Sequence, residues 1–178
     1  MENINLYREY IRDLANTRSD EVFKNSSPKH AAIVLSNIFA QAQTEVLIFA
    51  GTLNGLLSKE TEYQDSFDLF LQKKHVHIKI LVENDSNFNT NLKEKLKILK
   101  ENGCNLEIKQ HNYILLEENT KVPLHFTLAD SSMYRIETNT KTHYADGCFN
   151  DTSDTSTLFR NSFFDIYNSS DAKIVNIN

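Results

Sequence analysis

Five consecutive apolar residues at positions 46–50, in the order Val-Leu-Ile-Phe-Ala, constrain the fold of this chain more than any other segment. A short continuous apolar run of this kind is typical of a strand that is covered on both of its faces. Such a strand needs helices on either side of its sheet. The run therefore predicts an α/β domain in which helices cover both faces of the sheet.

Helical and strand patterns alternate along the rest of the chain. Apolar residues repeat at helical spacing between Ile4 and Leu14, which predicts an N-terminal helix. Ser27 and Pro28 predict the start of a second helix, because serine can cap a helix and proline fits its first turn. Three further helices are predicted around 63–71, 92–99 and 158–166, and further strands at 76–82, 106–108 and 113–116.

This alternation predicts an α/β fold with a mixed, mostly parallel sheet sandwiched between helices. A chain of 178 residues fits one domain with a substantial core. We expect residues 1–26 to form the N-terminal helix and a connection, because 17–26 is polar. Residues 27–178 are expected to form the α/β domain.

Residues 124–137 form the most informative local pattern, two short predicted strands joined by a tight turn. A three-residue loop at 130–132 places Leu128 opposite Tyr134 and Phe126 opposite Ile136. A two-residue loop would place charged side chains opposite these apolar ones, so the longer loop is preferred. The hairpin should then have one apolar face and one polar face, the polar face being formed by His125, Thr127, Arg135 and Glu137.

The same hairpin resembles the active-site strand of the phospholipase D superfamily. That family has His-x-Lys, four residues and Asp at a strand end, and later Gly-Ser-x-Asn. Asp130 matches the aspartate, since an apolar strand precedes it and a turn follows it. Residues 147–150, Gly-Cys-Phe-Asn, resemble the second motif with cysteine in place of serine. The order of elements over roughly 28–173 also resembles one half of such an enzyme.

The two catalytic positions of the motif differ from the family. Counted back from Asp130, the histidine position is Pro123 and the lysine position is His125. Anchored on His125 instead, the lysine position is Thr127 and the aspartate position is Ser132. Proline can neither attack phosphorus nor carry a proton. The resemblance therefore implies a phospholipase D-like fold with a degenerate site and no catalytic residue.

Family members with one half per chain pair about a twofold axis to build one cleft. The resemblance thus implies a symmetric homodimer. It also implies a non-catalytic binding, sensing or adaptor module, for a phosphate-containing ligand or a protein partner. One alternative is a phosphodiesterase, a nuclease or phospholipase, with a rearranged active site at the homodimer interface. Another is a scaffold that uses the domain only to form a dimer.

The polar face of the hairpin has three interpretations. In the preferred one it is a structural network in which Arg135 and Glu137 satisfy each other. In the second, Thr127 and Arg135 bind a phosphate. In the third, His125 is a general base that Glu137 orients. The candidate ligand-binding residues are accordingly His125, Thr127, Asp130, Arg135, Glu137 and Asn150.

Two other segments bear on ligand binding. Residues 51–55, Gly-Thr-Leu-Asn-Gly, follow a predicted strand, and in an α/β sheet ligands bind at such loops. The loop lacks the lysine of a phosphate-binding loop, so we predict an ordinary tight loop. His75 and His77 share a strand face, but zinc needs three or four ligands. We therefore predict neither a metal nor a cofactor.

Charge and composition limit which partners the chain is expected to bind and in which compartment it is expected to lie. The formal net charge of -5 argues against a basic nucleic-acid surface. Cys104 and Cys148 lack metal-ligand spacing, and buried free thiols fit a reducing compartment. The sequence has neither a signal-peptide pattern nor an apolar window long enough to span a membrane. We expect a cytoplasmic protein without integral membrane association, and its Asn-, Lys- and Ile-rich composition is typical of prokaryotes.

Overall fold

The computed structural model describes residues 3–53, 55–85, 88, 90–112, 114–115, 121–122 and 125–177. Helices and strands alternate through these ranges. The helices are α1 (Ile4–Thr17), α2 (Pro28–Gln41), α3 (Thr61–Leu71), α4 (Thr90–Glu101) and α5 (Thr155–Tyr167), with a short 3₁₀ turn at Leu57–Lys59. The strands are β1 (Phe23–Asn25), β2 (Glu45–Ala50), β3 (His77–Val82), β4 (Leu106–Gln110), β5 (Ile114–Leu115), β6 (Lys121–Val122), β7 (His125–Ala129), β8 (Met133–Asn139), β9 (Tyr144–Cys148) and β10 (Lys173–Ile174).

Eight strands form one mixed sheet in the order β1-β9-β8-β7-β2-β3-β4-β10. The α/β class and the mixed sheet are confirmed, but the expectation of a mostly parallel sheet is wrong. Only the β2–β3 and β3–β4 pairs within this sheet are parallel. The reason is the way its strands are connected. Helices link β2, β3 and β4, whereas short turns link β7, β8 and β9, and short turns produce antiparallel neighbours.

The apolar run at 46–50 lies in the middle of this sheet as β2. Val46 and Ile48 belong to one core, which α1, α2 and α3 help to form. Leu47 and Phe49 belong to a second core on the other face, which α5 helps to cover. The prediction of a strand buried on both faces is thus confirmed.

The N-terminal segment contains one element that the sequence did not predict. The helix over Ile4–Thr17 is confirmed, and Ser27 caps α2 by accepting a hydrogen bond from the His30 amide at 3.2 Å. The polar stretch 17–26, expected to be a connection, includes the edge strand β1, which pairs with β9. A three-residue strand is too short to show an alternating pattern, although Phe23 and Asn25 are both buried.

The hairpin of β7 and β8 has the predicted register. Leu128 pairs with Tyr134, and the loop is residues 130–132. The apolar side chains of both strands pack against α5, and the polar ones lie on the opposite face. Pro123, together with Leu124 at the start of the predicted strand, lies outside the described residues, as do Tyr113 and Leu116 of the predicted strand at 113–116.

Two smaller expectations concern the thiols and the membrane. Cys104 and Cys148 are both buried and free, as predicted. Among the residues that the structure describes, no helix combines the length and the apolar character needed to cross a bilayer.

Candidate functional site

A pocket opens where the parallel strands β2 and β3 end and the antiparallel strand β7 begins. Gly51 follows β2, Glu83 follows β3, and His125 is the first described residue of β7. His125 lies one residue beyond the Phe49–Phe126 pair of β2 and β7, so it stands beside the end of β2. In α/β sheets the carboxyl ends of parallel strands are where ligands bind. The described residues of the loop predicted at 51–55 lie at this end of the sheet.

His125 is held between two carboxylates. Its Nε2 lies 3.5 Å from Glu83 Oε2, and its Nδ1 lies 3.4 Å from Glu137 Oε2. Burial alone would lower the pKa of His125, but the hydrogen bonds and charges of Glu137 and Glu83 outweigh it and raise the pKa to about 9. The imidazole is therefore protonated at neutral pH, and each N–H faces a carboxylate.

Glu137 connects the histidine to a buried arginine. Its Oε1 lies 2.7 Å from His143 Nδ1 and 3.4 Å from Arg135 Nη2. Burial opposes the charged form of Glu137, but His125, Arg135 and His143 together lower its pKa. The contact between Arg135 and Glu137 that a structural network requires is thus present, and both residues are buried.

The remaining donors of Arg135 face the edge of the sheet. Its Nε donates to Asn25 Oδ1 at 3.0 Å, and its Nη2 donates to the backbone oxygen of His143 at 3.2 Å. Asn25 donates to that same oxygen at 3.0 Å. Burial lowers the pKa of Arg135, and the charge of Glu137 opposes this effect. The Nε and Nη2 atoms are therefore occupied by protein partners, and the residue is 4% exposed.

The pocket has a volume of about 180 Å³. The polar cluster forms one side of it, and the loop after β2 together with apolar residues of β2, α2 and α3 forms the rest. The apolar part includes Leu35, Ile48, Phe49, Leu53, Tyr63 and Phe126.

Gly51 is a glycine because the His125 ring lies directly against it. A Cβ atom at position 51 would lie 2.8 Å from His125 Cε1 and 3.0 Å from His125 Nε2. Non-bonded carbon atoms prefer about 3.5–4.0 Å, so a side chain here would displace the imidazole. Gly55, at the other end of the loop, has no such neighbour, since the nearest atom is a Thr52 methyl at 3.9 Å.

Four of the six candidate ligand-binding residues line this pocket: His125, Thr127, Arg135 and Glu137. Asp130 does not, because it follows the far end of β7, five residues or roughly 16 Å from His125. Its carboxylate accepts hydrogen bonds from the amides of Gln43, Thr44 and Glu45. Burial disfavours the charged Asp130, but these bonds outweigh it and lower its pKa.

Asn150 is also separate from the pocket. It is exposed and follows β9, whose Cys148 pairs with Tyr134 at the Asp130 end of the hairpin. The six candidates therefore lie at two ends of the sheet. Local sequence patterns identified the strands correctly but not the end at which each side chain lies.

Sequence reasoning missed Glu83, His143 and Asn25. Glu83 could have been predicted from the sequence, because it directly follows β3 at the edge of the sheet where ligands bind. Asn25 had none, since its role depends on the unpredicted pairing of β1 with β9. His143 had none either. It lies in the turn between β8 and β9. Its backbone is in the left-handed conformation, with φ of 57°, and its ring contacts Glu137.

The charges of the pocket balance one another. Protonated His125 and Arg135 provide two positive charges, and Glu83 and Glu137 provide two negative ones. A phosphate would meet the Glu137 carboxylate, and the lining that the structure describes includes no lysine. The arrangement can hold an imidazolium rigidly and enclose a small ligand, but it offers an anion little unpaired positive charge.

Comparison with known proteins identifies the fold. No family model and no curated protein matches the chain. TrmBL2, an archaeal chromatin protein whose structure shows a novel mode of DNA binding, matches with a TM-score of 0.59 and 16% identity, over 93% of this chain and 58% of that chain. Phosphatidylserine synthase from Haemophilus influenzae Rd KW20 matches with a TM-score of 0.56 and 13% identity, over 87% of this chain and 39% of that chain.

At these identities the likeness shows the fold alone. The chain spans between about two fifths and three fifths of the length of the two proteins. The likeness to the synthase supports the α/β fold with its mixed sheet. It does not extend to the residues of the hairpin motif.

Proposed function

We propose that the chain is a non-catalytic phospholipase D-like domain that acts as a binding, sensing or adaptor module, with its ligand in the pocket beside His125. The observation that carries this proposal is the position of His125 between Glu83 and Glu137, in the wall of a partly open pocket. A histidine fixed in this way is suited to hold a pocket in shape.

The chemistry of a nucleophilic histidine conflicts with this environment. Attack on phosphorus requires an unprotonated ring nitrogen with a free lone pair. Both ring nitrogens of His125 face carboxylates within 3.5 Å, and the pKa of about 9 keeps the ring protonated at neutral pH. The balanced charges also leave the phosphate of a substrate without the cations that would stabilise its transition state.

One contact favours the alternative, a phosphodiesterase with a rearranged active site. His143 Nδ1 lies 2.7 Å from Glu137 Oε1, and His143 lines the pocket. A carboxylate that orients a histidine in this way is a common arrangement for a general base. In this alternative His143, rather than His125, would act on the substrate, in an active site formed at a homodimer interface.

Hydrolysis of bis(p-nitrophenyl) phosphate in the presence of EDTA separates the two functions. We expect no turnover above the buffer background for the wild type, His125→Ala or His143→Ala. Wild-type turnover that disappears in His143→Ala, while the variant keeps its circular dichroism spectrum, would contradict the non-catalytic function and favour the alternative.

The partner and assembly remain part of the proposal. TrmBL2 is a DNA-binding chromatin protein, whereas the net charge of -5 disfavours nucleic acid as the partner of this chain.

We propose a cytoplasmic symmetric homodimer, by analogy with family members that contain one half per chain. Light scattering coupled to size exclusion should give twice the 20.5 kDa chain mass, and a single-chain mass would contradict the dimer.

A further inference from the structure

Two hydroxyl groups of the pocket lack hydrogen-bond partners among the described residues. Thr127 lines the pocket from β7 and is 6% exposed, and no protein atom of the described chain accepts or donates a hydrogen bond at its hydroxyl. Tyr63 lines the pocket from α3 and is 9% exposed, and its hydroxyl is likewise without a protein partner in the same ranges. Both residues line the pocket, so each hydroxyl is available to form a hydrogen bond with a bound ligand.

The size of the pocket limits the ligand. An apolar cavity of about 150 Å³ is large enough to hold benzene. The pocket beside His125 has about 180 Å³. It therefore accommodates a compact molecule of roughly six to nine non-hydrogen atoms, the size of one substituted ring.

The charges of the pocket limit the ligand further. An anionic group would lose its hydration beside Glu137, and a cationic group would lose it beside His125 and Arg135. Each of these three side chains already has a partner of opposite charge, and Glu83, which is outside the described lining, is the second partner of His125. The remaining wall is mainly aliphatic and aromatic, with Leu35, Ile48 and Phe126 among its residues.

We propose that the pocket binds a compact, uncharged, mostly apolar molecule of single-ring size, which forms a hydrogen bond with the hydroxyl of Thr127. This inference rests on the proposed binding function and specifies its ligand class. The ring of the ligand lies against the aliphatic wall, and its polar substituent lies on the β7 side. Tyr63 provides a second hydroxyl on the α3 side for a ligand with two polar substituents.

Titrations with phenol, toluene and phenyl phosphate test this ligand class, because the three probes share a ring and differ in one substituent. Amide chemical shifts of the isotope-labelled chain report both affinity and location. We expect phenol and toluene to shift the amides of Gly51 and Thr127, and phenyl phosphate to bind more weakly than phenol. The preference for phenol over toluene should fall about 2- to 10-fold in Thr127→Val, the value of one hydrogen bond.

Two control variants define what the hydroxyl contributes. Thr127→Ser retains the hydroxyl and should retain the preference for phenol. Thr138→Val removes an exposed hydroxyl that is not part of the pocket lining and should change nothing. Tyr63→Phe removes the second hydroxyl without changing the ring, and it shows whether phenol uses that group instead of Thr127.

Three results would overturn the inference. One is no shift at Gly51 or Thr127 with either phenol or toluene. Another is tighter binding of phenyl phosphate than of phenol. The third is a preference for phenol that Thr127→Val leaves unchanged. Each of these rejects the ligand class alone, because the proposed function is judged separately by phosphodiester turnover.

Discussion

Replacement of Glu137 by glutamine is the sharpest test of the charged cluster. The substitution keeps the size and shape of the side chain and removes its charge. It leaves Arg135, which is 4% exposed, without its carboxylate partner, and it removes one of the two carboxylates that hold His125. The folded state should lose stability, because a buried positive charge without a partner is costly.

The size of the stability loss follows from the burial of Arg135 and from the distances between Glu137 and its partners. Breaking a buried ion pair by removing one partner costs about 3–5 kcal/mol. The contacts of Glu137 with Arg135 and His125 are both 3.4 Å, longer than an ideal charged hydrogen bond, whereas its contact with His143 is 2.7 Å. Arg135 also keeps Asn25 as a neutral partner. We therefore expect a loss near the lower end of that range, about 3 kcal/mol.

Urea denaturation at pH 7 measures this loss. With a slope of about 2 kcal/mol per M, a loss of about 3 kcal/mol lowers the urea midpoint by about 1.5 M. Asp68→Asn is the matched control, because it breaks an ion pair with Lys95 whose side chains are 42% and 41% exposed. That control should lose at most about 1 kcal/mol.

The double variant Glu137→Gln/Arg135→Met identifies the source of the loss. If the unpaired guanidinium is responsible, removing it should restore much of the stability, and the two substitutions should be strongly non-additive. A Glu137→Gln variant that unfolds at the wild-type urea concentration would refute the reasoning, since the cluster would then behave as a solvated surface group.

Two further predictions concern His125. Because folding raises its pKa from 6.5 to about 9, its contribution of roughly 3 kcal/mol is complete below about pH 6.5 and is lost as the pH rises through 9. Urea denaturation across this pH range should show the loss in the wild type and not in His125→Gln, and equal pH dependence in both would contradict it. Gly51→Ala should displace the imidazole and cost about 1–3 kcal/mol in the same assay, whereas Gly55→Ala should cost less than 1 kcal/mol. Equal losses in the two alanine variants would show that the close approach at Gly51 has no energetic effect.

Local patterns in the sequence predicted the helices and the central strands well. The run at 46–50 identified a strand buried on both faces, because five apolar residues leave no face for solvent. The hairpin register followed from pairing apolar side chains across the turn, since a slip of one residue would have placed Arg135 opposite Leu128. In both cases the prediction depends on residues that are close together in the sequence.

The sheet order and the composition of the pocket could not be predicted in the same way. Asn25 reaches Arg135 only because β1 pairs with β9, and these strands are more than 100 residues apart in sequence. The partners of Asp130 are the amides of 43–45, at the opposite end of β2 from His125, and no local pattern indicates that end. Contacts between strands that are distant in sequence depend on the whole topology.

The protonation state of His125 is the most direct test of the non-catalytic function, because a ring that is protonated at neutral pH supports the pocket and cannot attack phosphorus. Two-dimensional NMR of the isotope-labelled imidazole, recorded from pH 5 to pH 10, follows both ring nitrogens. We predict an imidazolium at pH 7 with a pKa of about 9, and a lower pKa in Glu137→Gln. A His125 ring that is neutral at pH 7, with a pKa near 6.5, would contradict it.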